Sequence, residues 1–392
     1  MEKIGIYGGT FNPPHAGHIH AAKEAVEALN LDKLIMIPAH VAPHKELPEG
    51  SPSPEQRLDM VKLAVHSCPK IEVSDMELKR EGKSYTYQTI LELRKIYPKA
   101  QLFLVMGTDM FLAFEEWKEP DIIMANATIA VLYRGEKGER DAIFAQKEHL
   151  EASGAKVKIV KNQVLAISST NLRRLLAFHC ATPFLPEGTG AYIREHGLYD
   201  TSANWKHLPM EELERVVVKL LNPNRVAHVL GCRDTAVELA KRWGANVTNA
   251  ARAGILHDIT KALDGPLQLT LCAEYGTILD DFGQQNPKTL HALTGSLVAE
   301  RIFGENKEVV SAIRHHTTGK ANMSLLEKII YVADYMEPCR KFPGVDKMRE
   351  LAFSDIDAAL RMGLEMTLEN LISRELEISP ESREALAYLN QN

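Results

Sequence analysis

The sequence predicts two domains of different class: an α/β doubly wound parallel sheet, followed by an all-α domain. Three observations carry this. Through about residue 200, short apolar strands alternate with amphipathic helices, which is the pattern of a parallel sheet with right-handed crossovers. Beyond Tyr199 the strand patterns stop and helical periodicity alone continues. The length of 392 residues suits two domains better than one. The expected boundaries are 1–200 for the first domain, 201–208 for a polar, turn-rich linker, and 209–392 for the second domain.

Each element has its own signal. The first strand, residues 3–7, runs into Gly8-Gly9-Thr10-Phe11-Asn12-Pro13-Pro14-His15-Ala16-Gly17-His18, and a helix is expected from about residue 19 to 29. A glycine pair after a strand lets backbone approach a ligand, and the helix N-terminus that follows offers N–H groups to phosphate. His15 and His18, three apart, share one face of the helix start. Further strands are expected at 33–38, 71–73, 101–106, 128–133 and 157–160, with helices between them such as 54–64. Ligands of such a sheet lie beyond the carboxyl ends of its strands, where Gly8, Gly107 and Asp109 fall. Ser168-Ser169-Thr170-Asn171-Leu172-Arg173 caps another helix and exposes its N–H groups to an anion. The second half predicts helices over 210–221, 225–243, 248–259, 287–303, 307–316 and 324–336.

Composition bounds the function. A hydrophobic content of 45% and a charged content of 25% belong to an ordinary globular protein. A net charge of −6 argues against a general binder of nucleic acid or membrane surfaces, so an anionic ligand needs a local site. The five cysteines, Cys68, Cys180, Cys232, Cys272 and Cys339, form no C-x-x-C pair, so neither a disulfide framework nor a thiolate zinc site is expected. No apolar run reaches membrane-spanning length, and the first residues enter a strand directly with no signal-peptide pattern. A cytoplasmic location follows as the expectation. A homo-oligomer is compatible with all of this.

The segment from Gly8 to His18 resembles the HxGH signature of the Rossmann-like nucleotidylyltransferases, and its Gly-Gly-Thr-Phe-x-Pro lead-in resembles the bacterial nicotinate-nucleotide adenylyltransferases. Ser168, Thr170 and Arg173 match that family's S-x-T-x-x-R motif. The resemblance covers about residues 1–200. It implies transfer of AMP from ATP to nicotinate mononucleotide, giving deamido-NAD and pyrophosphate, with Mg2+ accompanying ATP mainly through phosphates and water. His15 and His18 would then be catalytic, hydrogen-bonding phosphates and stabilising transition-state charge. Gly8, Gly9, Thr10, Phe11, Lys45, Ser168, Thr170 and Arg173 would bind ATP. Ser84, Tyr85, Thr86, Asp109 and Trp117 resemble the contacts to the acceptor: Trp117 to stack on the pyridine ring, Thr86 to hold its carboxylate, Asp109 to bind ribose hydroxyls.

In the second half, His228, His257-Asp258, His291, His315-His316 and Asp334 stand on segments that read helical. Histidine and carboxylate ligands suit iron, manganese, zinc or nickel. His257 and Asp258 lie in an otherwise apolar run, 250–259, where an unpartnered pair would be costly and a metal would relieve the cost. The order H…HD…D resembles the HD superfamily of metal-dependent phosphohydrolases. His316-Thr317-Thr318-Gly319 and Tyr331-Val332-Ala333-Asp334-Tyr335-Met336-Glu337-Pro338 resemble its symmetrical diadenosine tetraphosphate hydrolases, over about residues 209–385. The resemblance implies two divalent transition metals, iron before manganese. His228, His257, Asp258 and Asp334 would hold one; Asp258, His291 and His316 would hold the other, with Asp258 bridging and catalytic. Lys261 and Arg340 would contact substrate phosphates. Two other readings remain for this half: action on another nucleotide, or a regulatory module that binds nucleotide without hydrolysis.

Overall fold

Six runs of aliphatic and β-branched residues form the strands of one sheet: β1 (Lys3–Gly9), β2 (Lys33–Pro38), β3 (Ile71–Val73), β4 (Gln101–Gly107), β5 (Thr128–Tyr133) and β6 (Val157–Lys161). All pairings are parallel and the order is β3-β2-β1-β4-β5-β6. The structure, a computed structural model, describes residues 1–43, 46–133, 138–161 and 167–391, in two compact units, Met1–Ala203 and Asn204–Asn392.

The central strands are buried on both faces, which is why they read as continuous apolar runs rather than alternating ones. Period-two alternation then sorts each strand between two cores. Ile4, Ile6, Ile35, Ile37, Leu102 and Leu104 pack on one side. Leu34, Met36, Phe103 and Val105 pack on the other, against Ala22, Ala25 and Val26 of the helix Ala16–Ala28. The strand order reverses between β1 and β4, and that reversal opens a crevice at their carboxyl ends.

The second unit is helical throughout its described residues. Pro223–Trp243 packs closely on Val247–Leu256, and Gly254 makes this approach practicable: a Cβ there would come within 2.7 Å of the Arg233 Cα. Leu325–Met336 carries Ile329, Ile330, Tyr331 and Val332 into the core. Among the described residues no helix is long and apolar enough to cross a membrane.

Several boundaries differ from the sequence reading. The first helix begins at Ala16, not near residue 19, because His15 serves as its N-cap in extended conformation. The helix expected over 248–259 ends at Leu256, and the one over 307–316 ends at His315. The run over 287–303 divides into a 3-10 turn, Pro287–Leu290, and the helix His291–Arg301. Residues 204–208, read as linker from their polarity, belong to the second unit. The His207 N–H donates to the Phe303 carbonyl, and Trp205 stacks on the Phe303 ring.

Candidate active sites

In the first unit, β1 delivers Gly8 and Gly9 to the mouth of the crevice, and a cavity of about 520 Å³ opens there. Gly8, Gly9, Thr10, Phe11 and His18 line one part of it; Ser84, Tyr85, Thr86 and Trp117 line another. A Cβ on Gly8 would meet nothing within 4 Å, so ligand approaches bare backbone there. Phe11 follows with φ +47°, its ring buried beneath Gly9.

His15 and His18 stack with ring centroids 3.6 Å apart, and the Phe11 ring meets His18 edge-on at 5.1 Å. Burial pushes both imidazoles below their ordinary range, His15 to about 2, with His18 adding repulsion, and His18 to about 4. Both are therefore neutral at physiological pH. The His15 backbone N–H donates to His18 Nδ1 at 3.2 Å. That nitrogen is then an acceptor, so His18 carries its proton on Nε2, where it is available to a ligand oxygen.

Asn12 ties this turn to distant segments. Its carboxamide donates to the Ser51 hydroxyl at 2.9 Å and accepts from the Tyr199 hydroxyl at 2.8 Å. Its carbonyl accepts from Arg173 at 2.7 Å. Ser168 caps the helix Ser169–Ala177 by accepting the Asn171 N–H, Thr170 accepts from Arg173 at 3.1 Å, and the Ser169 hydroxyl donates to the Pro13 carbonyl. The S-x-T-x-x-R segment is thus brought against the HxGH turn, although its residues do not line the cavity. Lys45 lies outside the described residues. Asp109 is exposed, in the short helix Thr108–Leu112 after β4, and does not line the cavity, whereas its neighbours Gly107 and Met110 do.

On the acceptor side, Ser84 is buried and accepts the His40 N–H at 2.9 Å. Tyr85 is the N-cap of Thr86–Ile96, which points a helix N-terminus at the cavity and favours a carboxylate there. Trp117 packs on Phe114 with centroids 5.6 Å apart and still presents surface to the cavity.

The second unit gathers the dispersed histidines at helix ends. His257 is the C-cap of Val247–Leu256 with Asp258 in the turn beyond, His316 is the C-cap of Lys307–His315, and His291 opens its helix. The expectation that all stand within helices is corrected: a turn lets Asp258 present its two oxygens to different partners. Asp258 Oδ2 lies 3.6 Å from His228 Nε2 and 3.5 Å from His257 Nε2. Its Oδ1 lies 3.6 Å from His291 Nε2 and 3.8 Å from His316 Nε2. Asp334 Oδ1 joins the first group, 3.2 Å from His228 Nε2 and 3.8 Å from His257 Nε2.

The donor set is of the type that suits a divalent cation, and the imidazole orientations are consistent with that. His257 Nδ1 faces the Gly254 carbonyl at 2.8 Å, His316 Nδ1 the Ile313 carbonyl at 2.7 Å, and His291 Nδ1 the Lys288 carbonyl at 3.1 Å. His228 Nδ1 faces Glu337 Oε1 at 3.0 Å. Carbonyls and carboxylates only accept, so each Nδ1 donates its proton and each Nε2 faces the centre. Ligand atoms of His228, His257 and Asp334 cluster within 4.8 Å, as do those of His257, Asp258 and His316.

The electrostatics favour positive charge at this centre. Burial opposes protonation of His228, but Asp258 and Asp334 outweigh it and raise its pKa. Burial likewise opposes ionisation of Asp258, but His257 and the hydrogen bonds of three histidines hold its pKa well below the carboxylate range. Burial, Lys261 and His316 lower His291 to about 3. Lys261 sits 3.0 Å from His291 Nε2, and Arg340 sits 2.5 Å from Asp334 Oδ1. Lys261 is exposed and Arg340 half-buried, each held to a residue of the cluster.

Sequence reasoning missed Asn12, Arg57, Arg225 and Glu337. Arg225 hydrogen-bonds Asp258. Glu337 is buried against His228, and Gly231 leaves room for it: a Cβ there would stand 2.7 Å from Glu337 Oε2. A glutamate ending the apolar run from Tyr331 was the signal available in the sequence.

Comparison with known proteins agrees with this division. Residues 6–175 match the cytidylyltransferase-like family and residues 225–339 the HD domain family. A protein named probable nicotinate-nucleotide adenylyltransferase from Lachnoclostridium phytofermentans is 36% identical over 200 residues, covering 51% of this chain and 100% of the relative. Its namesake from Oceanobacillus iheyensis is 37% identical over 205 residues, covering 52% of this chain and 100% of the relative. A crystal structure from Clostridium acetobutylicum, described as a predicted HD superfamily hydrolase involved in NAD metabolism, is 37% identical. It covers 47% of this chain and 98% of that one, with a TM-score of 0.46.

Proposed function

The chain belongs to the nicotinate-nucleotide adenylyltransferase family through its first unit and carries an HD domain in its second, and on that premise we propose that it is a bifunctional nucleotide enzyme. The first activity joins AMP from ATP to nicotinate mononucleotide. An acceptor phosphate oxygen attacks the α-phosphorus of ATP, the α–β bridging bond breaks, and pyrophosphate leaves with deamido-NAD as product. No side chain need form a covalent bond; the site positions the two phosphates and spreads the developing charge. The observation that carries this is His18, its Nδ1 taken by the His15 N–H and its ring lining the cavity beside the glycine turn. Gly8 to Phe11, Lys45, Ser168, Thr170 and Arg173 hold ATP, with His15 beside His18. Ser84, Tyr85, Thr86 and Trp117, which line the cavity, hold the acceptor; Asp109, outside that lining, is assigned its ribose by the family resemblance alone, and Mg2+ travels with the ATP phosphates.

The second activity is symmetrical hydrolysis of diadenosine tetraphosphate. One water is consumed, the bond bridging the two inner phosphates breaks, and two ADP form. The division of Asp258 carries this reading, one oxygen facing His228 and His257, the other His291 and His316. Asp334 completes the first set. Two divalent cations, when bound, supply Lewis acidity and an activated water. Iron is our choice, carried by the family resemblance. Glu337 holds the His228 tautomer, and Lys261 and Arg340 supply positive charge for the tetraphosphate.

The test is a product assay on the full chain. ATP with nicotinate mononucleotide should give deamido-NAD. Diadenosine tetraphosphate with iron or manganese should give ADP alone; AMP plus ATP would show asymmetric cleavage and overturn the symmetrical reading.

A further inference from the structure

Arg57 is the largest fully buried side chain among the described residues, 1% exposed, and the adenylyl-transfer site described above does not use it. It lies on the helix Pro54–Val65, whose N-cap Ser53 and Pro54 set its start. Its guanidinium donates to the Thr10 carbonyl at 2.6 Å, the Ala39 carbonyl at 2.7 Å and the His40 carbonyl at 3.1 Å. Thr10 follows β1, and Ala39 and His40 follow β2. One side chain therefore clamps the carboxyl ends of two neighbouring strands at the crevice.

Among the described residues no carboxylate pairs with Arg57. Glu55, two residues earlier, takes the Ser53 hydroxyl at 2.8 Å instead. The Arg57 Nε is buried without a partner. Glu55 acts on the guanidinium only through space and does not pair with it, so burial still holds the Arg57 pKa below its ordinary value, and a further anion nearby would be stabilising.

Peptide geometry shows where the counter-charge sits. The C=O and N–H of one trans peptide point in opposite directions. By holding the Thr10 carbonyl, Arg57 turns the Phe11 N–H the other way, toward the cavity that Thr10 and Phe11 line and Arg57 does not. By holding the Ala39 carbonyl it sets the His40 N–H, which donates to Ser84. We infer that Arg57 is a positioning residue for the triphosphate: from behind the glycine turn it fixes the Phe11 N–H donor, and its charge is neutralised by the polyphosphate bound in front. The inference rests on the adenylyltransferase reading of this site.

The experiment compares full-length Arg57→Met and Arg57→Lys with wild type. Methionine keeps the apolar stem and loses charge and fork; lysine keeps the charge and loses the fork. Inorganic tripolyphosphate, which has no base or ribose, is used as a competitor against ATP. For Arg57→Met, the KM for ATP and the inhibition constant of tripolyphosphate should rise together by about tenfold or more, while the KM for nicotinate mononucleotide stays within about twofold. Arg57→Lys should recover part of both. Should Arg57→Met fail to fold, the tripolyphosphate constant of Arg57→Lys decides, and an increase supports the inference. Lowered melting temperatures with ATP and tripolyphosphate constants unchanged would overturn it and leave Arg57 a structural clamp. An equal loss for both substrates would overturn it too. Failure of the underlying reading looks different: wild type would form no deamido-NAD.

Discussion

The two units build their candidate sites with opposite devices. The first uses backbone at a strand end and neutral imidazoles held there by burial; a deeply buried guanidinium, Arg57, lies behind the turn. The second places two carboxylates among four histidines, in a cluster whose charges are held by one another. The difference teaches how locality relates to chemistry. A group-transfer site that only positions phosphates can be built from eleven consecutive residues, Gly8 to His18, and a few supports. The histidine and carboxylate cluster converges from several directions and draws on five separate segments.

The comparison is broken most severely at Asp258, whose two carboxylate oxygens face different histidine pairs. Asp258→Ala should lose bound metal broadly and bring ADP release from diadenosine tetraphosphate below detection, while deamido-NAD formation is unchanged. His291→Ala should keep part of the metal. Metal analysis beside a chromatographic ADP assay checks both; a metal-free variant that still hydrolyses would remove Asp258 from its role.

Next is His18→Ala, expected to slow adenylyl transfer by about 10²–10³, the usual cost of one preorganised donor. ADP release should be untouched. Normal deamido-NAD formation would reassign the site.

The neutral histidines also make the first unit acid-sensitive. Burial depresses His18 from 6.5 to about 4. As the pH falls the unfolded chain takes up its proton first, so stability is fully present above about 6.5 and is lost as the pH drops toward about 4. His18 alone contributes about 3 kcal/mol of that loss. Chemical denaturation at pH 7 and pH 4.5 measures it, and His18→Asn should flatten the dependence. An unchanged slope in the variant would show that His18 titrates normally.

Glu337→Gln tests the second unit more finely. A carboxamide can still accept from His228 Nδ1 but carries no charge, so metal affinity should fall by about 10–100-fold with the fold intact. Competition with a chelator reads this out directly. Smallest is Trp117→Ala, expected to raise the KM for nicotinate mononucleotide by about tenfold with that for ATP nearly constant, since ring stacking contributes on the order of 1 kcal/mol. A change confined to ATP would place the acceptor elsewhere.

The alternation of strands and helices fixed the α/β class because strand burial follows directly from apolar runs such as Leu102 to Met106. The Gly8–His18 turn was legible for the same reason: its parts are contiguous. The metal-ligand candidates could be named from their residue types, and only the family resemblance grouped them into two sets around Asp258. Their type suggests a cation, yet the pairing of Asp258 Oδ1 and Oδ2 with different histidines depends on helix ends from distant parts of the chain.

Residues that act through others were the hardest to read. Arg57 reaches Thr10 across 47 positions, and Glu337 reaches His228 across 109. Asn12 meets Tyr199 across 187. Each is an ordinary polar residue in its local context. By itself the sequence determined what is periodic or contiguous: the two fold classes, the glycine turn with its histidine pair, and the chemical type of the dispersed ligands. Tertiary structure alone decided the imidazole tautomers, the burial that keeps His18 neutral, the two-sided placement of Asp258 and the charge behind the turn. These are set by which groups exclude water from one another and which carbonyl each donor meets, and neither is encoded at short range.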